Sequence, residues 1–99
     1  MNKNSMKLDD FLIENLKDKD SAREFLNISL ETYLKDGNFE EFAKSLELVI
    51  KAESSISAFA RETNLNRSNL YSIFNNKKKP QFETIVTILS KLGFNIKVA

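Results

Sequence analysis

Neither cysteine nor histidine occurs in this 99-residue chain. Without cysteine there is no disulfide framework and no thiolate zinc site, a composition that suits a reducing cytosol. With histidine missing too, the usual metal ligands and the usual general base are gone, and only carboxylates, lysines and hydroxyls remain. The carboxylate pairs Asp9-Asp10 and Glu40-Glu41 are adjacent rather than convergent on one helical face, so they read as solvated surface. No enzyme, no metal and no cofactor is expected. The longest apolar runs are only a few residues, and the amino terminus, MNKNSMKLDDF, lacks a hydrophobic signal core. The expectation is a cytoplasmic protein with no membrane segment and no small-molecule substrate. One proline, two glycines and 41% hydrophobic residues suit a helical chain. Such a chain buries roughly 60 to 70% of the surface its unfolded state exposes.

Charge is plentiful but unevenly spread. Residues 1–53 hold 8 Lys/Arg against 12 Asp/Glu, a net of −4, whereas residues 54–99 hold 7 against 2, a net of +5. The formal +1 of the whole chain conceals this split. It suggests acidic N-terminal helices over 1–53, packing on a core shared with a basic region over 54–99, in one compact domain.

Apolar residues at 8, 11, 12, 13 and 16 predict a short helix over Leu8 to Leu16, with ordered structure starting near Met6. Asp18 or Asp20 caps a second helix, in which Ala22, Phe25, Leu26, Leu30, Tyr33 and Leu34 repeat with helical period until Gly37 stops it. Asn38 with Glu41 resembles a capping box, ahead of the stripe Phe39, Phe42, Ala43, Leu46, Val49 and Ile50. The polar face of that helix offers Glu40–Lys44 and Glu47–Lys51 pairs four apart. Near the carboxyl end, Pro80 ends a loop. Phe82, Ile85, Val86, Ile88, Leu89 and Leu92 then define a closing helix up to Gly93. All these stripes are read as core.

The densest signal lies between, from Ser55 to Asn75. Ser54-Ser55 caps a helix with Ile56, Phe59 and Ala60 on one face, and Asn64 supplies the residue that best tolerates positive φ after glycine. Asn66 then caps a second helix whose Leu70, Ile73 and Phe74 face inward. Helix, tight turn and helix in this order suit a helix-turn-helix that lays its second helix in a DNA major groove. Arg67, Ser68, Asn69 and Ser72 are left facing out as base contacts, because Arg bridges two guanine acceptors and Asn pairs with adenine. Ser57, Tyr71, Asn75, Asn76, Lys77, Lys78 and Lys79 are assigned to phosphate, where counterion release favours binding without reading sequence.

After Gly93, Phe94, Ile96 and Val98 alternate with Asn95 and Lys97, a period of two that predicts a strand. A lone strand needs a partner edge, from a second copy of the chain or from a different protein; these three residues are assigned to dimerisation, which a two-stranded ribbon between two copies would suit.

The run ISAFARETNLNRSNLYSIFNNKKKPQFETIVTILSKLGFNIKV resembles the Cro and phage-repressor type regulators, also called XRE-like. Within that group it is most similar to HigA-like addiction-module antidote proteins. The likeness rests on Ala60-Arg61-Glu62-Thr63, Arg67 to Tyr71, Pro80, Leu92-Gly93 and the segment Phe94 to Val98. It extends upstream through Tyr33 to Asn38 and covers roughly Met6 to Val98; Asn64 departs from the usual glycine of the turn. The resemblance implies an all-α, five-helix lambda-repressor-like domain with N-terminal helices and a short C-terminal β-strand. It implies a type II antitoxin that binds a double-stranded DNA operator, represses its own promoter and neutralises a RelE- or ParE-like toxin. A prophage-type XRE repressor without a toxin, and a pure protein-interaction module, are the alternative readings.

Overall fold

A computed structural model describes residues 3–94 of the chain, with side chains from Leu8 onward. Five breaks in the helical pattern leave six helices: α1 (Lys3–Asn15), α2 (Lys19–Asp36), α3 (Phe39–Glu53), α4 (Ile56–Thr63), α5 (Arg67–Phe74) and α6 (Phe82–Lys91). The five-helix expectation is therefore corrected to six.

Each break has a local chemical cause. The Asp18 carboxylate, not that of Asp20, caps α2 by accepting from the Ser21 backbone N–H and hydroxyl, both at 2.9 Å. Those two bonds, the backbone one foremost, hold the Asp18 carboxyl below its ordinary range. Gly37, at φ 69°, closes α2 by donating to the Tyr33 carbonyl at 2.7 Å. A residue with a Cβ enters that left-handed conformation at a cost. Asn38 caps α3 by accepting from Glu41 N–H at 3.2 Å. The reciprocal half of the expected capping box is taken by Asp36, whose Oδ1 accepts from Asn38 N–H at 2.9 Å. At the other end of the chain α1 starts at Lys3 and stops at Asn15, leaving Leu16 buried in the turn that follows.

The C-terminal strand is also corrected. Among the described residues there is no strand, and Phe94 serves as the end of a helix instead. Gly93, at φ 94°, donates to Ser90, and Phe94 N–H reaches back to the Leu89 carbonyl at 2.8 Å. That paired bonding is a Schellman closure, which calls for an apolar residue after the glycine to pack back on the helix. Phe94 does so, against the core. An apolar residue directly after a glycine stop thus satisfies a cap as well as a strand. Ile96 and Val98 lie outside the described residues.

Helix α3 is the centre of the packing. Apolar side chains cover most of its circumference, and it touches α1, α2, α4 and α5, while α6 packs on α4. Leu46 and Ile50 are fully buried, joined by Leu26 of α2, Leu70 and Ile73 of α5 and Ile88 of α6. Burying each such side chain contributes roughly 1.5 to 3 kcal/mol. At the α2–α3 turn, Tyr33 stacks on Phe42 at 5.4 Å between ring centroids and meets Phe39 edge-on at 5.9 Å. The two charge halves therefore share one core cluster.

Not every apolar position of the stripes is core. Leu8, Phe11, Leu34 and Phe82 are exposed, Phe82 to 74%. In α1 the side toward the core is set by Leu12 and Ile13, continued by Leu16 in the turn that follows, and Phe11 falls away from it. In α6 burial is concentrated in Ile88 and Leu89, beyond the first turn where Phe82 sits.

Candidate nucleic-acid interface

At eight residues, α4 and α5 are each too short to persist alone in water, so caps and packing must hold them. Ser55 begins α4 with its hydroxyl oxygen accepting from Ala58 N–H at 3.1 Å. Asn64 ends it at φ 63°, and Leu65 N–H returns to the Ala60 carbonyl at 3.1 Å. Two residues later Asn66 begins α5, its Oδ1 accepting from Asn69 N–H at 2.9 Å. Ile56, Phe59 and Ala60 of α4 and Leu70, Ile73 and Phe74 of α5 are all buried. The three-residue connection thus sets α5 on the core by its carboxyl-terminal half and leaves its first turn outward.

That outward turn carries three of the four residues assigned to bases. Arg67 and Ser68 are exposed and Asn69 is half-buried, while Ser72, also half-buried, lies in the next turn. The guanidinium carbon of Arg67 lies over the Tyr71 ring, 5.6 Å from its centroid. Ser57 is half-buried in the first turn of α4, and Tyr71, Asn75, Asn76, Lys77, Lys78 and Lys79 are exposed.

The exit from α5 is tightly built. Asn76 adopts φ 57° and donates to Ile73, while Lys77 N–H donates to the Ser72 carbonyl at 2.9 Å. This is a second Schellman closure, with asparagine in the place of glycine. The Asn76 side-chain amide donates to Glu40 Oε2 at 3.5 Å, joining the loop to the first turn of α3. The lysine run therefore leaves a fixed corner directly after α5. Sequence reasoning assigned Asn76 to phosphate and missed this backbone role; the usable signal was a second asparagine right at a helix end.

Charge at this face is unneutralised. Among the described residues no carboxylate lies within ion-pair distance of Arg61, Arg67, Lys77, Lys78 or Lys79. Lys91 pairs with Glu62 at 3.9 Å. On α3, by contrast, Glu47 binds both Lys44, at 3.5 Å, and Lys51, at 3.4 Å. The expected Glu40–Lys44 pair gives way to this arrangement, with Glu40 turned to Asn76 instead. Arg61, exposed in the last turn of α4, is a cation to which the sequence assigned no role. An exposed polar helix turn followed by free lysines can donate to base edges and attract a polyanion.

No helix among the described residues is long and apolar enough to cross a membrane. A family model described as "probable addiction module antidote protein" matches residues 7–99. No curated protein and no solved structure matches the chain.

Proposed function

The chain belongs to the family of probable addiction module antidote proteins, and from that membership we propose that it is a cytoplasmic, DNA-binding type II antitoxin of the XRE, HigA-like kind. In this reading α4 and α5 form a helix-turn-helix that grips a double-stranded DNA operator in the protein's own promoter and represses it. The observation that carries the reading is the outward first turn of α5, Arg67 to Asn69, followed by three lysines without ion-pair partners among the described residues. Arg67, Ser68, Asn69 and Ser72 read bases, and the lysines release counterions from phosphate. A homodimer would set two copies of α5 about one helical turn apart on a palindromic site. The exposed Phe82, with half-buried Val86 one turn on, offers apolar surface for such pairing.

The toxin partner is a RelE- or ParE-like protein. The net of −4 over residues 1–53 suits a basic partner that itself acts on nucleic acid, and leaves the basic half free for DNA. Two measurements test the proposal together. The protein is expected to retard a duplex of the DNA upstream of its own gene at low salt, and to copurify with the product of the adjacent reading frame. No retardation at low salt would remove the DNA-binding part; no copurification would remove the toxin.

A further inference from the structure

We infer that Tyr71 is a positioning residue for Arg67, its ring holding the guanidinium in place to read one base pair; the inference rests on α5 being the DNA-reading helix. Arg67 opens α5 and Tyr71 follows four residues later, one turn along the same face. The guanidinium carbon sits over the ring at 5.6 Å, inside the range of a cation–π contact. Among the described residues no carboxylate lies in ion-pair reach of this guanidinium, and its contact is the Tyr71 ring. Both ends of the pair stand on fixed backbone. The Asn66 cap secures the first turn through Asn69 N–H, and Leu70, Ile73 and Phe74 anchor the helix behind Tyr71.

The chemistry of the contact leaves the reading groups free. A guanidinium held over a ring face turns part of itself to the π system, while its N–H groups pointing away from the ring remain available to guanine O6 and N7. Arginine otherwise surrenders much rotamer freedom when it docks, and a ring that already restrains it lowers that cost. Tyr71 is itself 39% exposed, so the pair sits at the surface where DNA would arrive. Nothing in this role uses the phenolic hydroxyl. That separates it from a phosphate contact, in which the hydroxyl would be the donor.

The test uses the full chain and a duplex of the DNA upstream of its own gene, together with duplexes carrying every single base-pair change. Tyr71→Phe is expected to match the wild type in affinity and base preference. Tyr71→Ala is expected to bind about fivefold more weakly, to lose preference at the same base pair that Arg67→Ala releases, and to keep the wild-type salt slope. Combining Arg67→Ala with Tyr71→Ala should add nothing to Arg67→Ala alone. If Tyr71→Phe binds as weakly as Tyr71→Ala, or if Tyr71→Ala weakens all duplexes equally with no loss of preference at the base pair Arg67→Ala releases, the positioning role is overturned in favour of phosphate contact. If the wild type itself binds none of the duplexes, the DNA-binding reading fails first.

Discussion

Replacing Asn66 separates the folding of α5 from its proposed work on DNA. The Asn66 Oδ1 accepts from Asn69 N–H at 2.9 Å and satisfies one of the orphan donors of an eight-residue helix. Removing that acceptor in Asn66→Ala costs about 1 kcal/mol. For a chain of this size the loss lowers the melting temperature by about 4 to 8 °C. The freed turn contains Arg67, Ser68 and Asn69, so operator affinity should fall as well. Asn66→Asp restores an acceptor and adds a negative charge at the helix amino terminus, worth about 0.3 to 1 kcal/mol in its favour. Its melting temperature should return to or above that of the wild type. The same carboxylate stands next to Arg67 and would face phosphate, so Asn66→Asp should remain a weaker DNA binder, most clearly at low salt. Thermal melts followed by circular dichroism and anisotropy titrations with the upstream duplex measure the two effects. The reasoning is refuted if Asn66→Ala melts with the wild type, or if Asn66→Asp binds the duplex as tightly as asparagine does.

Other expectations follow from single positions. Leu46→Ala, at a fully buried site in the hub helix α3, should cost about 2 to 5 kcal/mol in urea denaturation with little change in slope. At Gly37, φ is +69° and an added Cβ would meet nothing within 4 Å, so Gly37→Ala pays conformational strain alone, about 1 kcal/mol. Changing Lys77, Lys78 and Lys79 together to glutamine should weaken binding to all duplexes alike and reduce the salt slope by about 2 to 3. Because the Asp18 carboxyl is lowered in the folded state, its cap contribution is fully present above the ordinary aspartate value near 3.9 and is lost as pH falls through the lowered one. A carboxyl NMR titration should place Asp18 below the unfolded reference, and Asp18→Asn should remove that part of the acid sensitivity.

What the sequence made legible was the local chemistry. Asn38, Ser55, Asn64 and Asn66 cap or close helices where their side chains predict, because a cap depends on atoms three or four residues away. The inward faces of α4 and α5 were legible for the same reason, since helical period alone divides Leu70, Ile73 and Phe74 from Arg67 and Ser68. Properties decided by distant packing were not. Phe11, Leu34 and Phe82 continue apolar stripes yet face water, because which flank of a stripe is covered depends on where the next helix lies. Glu40 was assigned to Lys44 by spacing, but the Asn76 corner offers it a partner 36 residues away. At Phe94 two local rules competed, and that residue goes to the glycine-linked helix closure. The cation–π pair of Arg67 and Tyr71 follows a four-residue spacing that was visible throughout, but its use depends on both side chains lacking closer partners.

The central claim is that α5 and the lysine corner after it form the face that meets DNA. Amide chemical-shift mapping on titration with the upstream duplex tests this most directly, since each residue reports separately. The account predicts perturbations concentrated in residues 67–72 and 75–79, with α1 and α2 little changed. Perturbations confined to α1 and α2, or none at low salt, would contradict it.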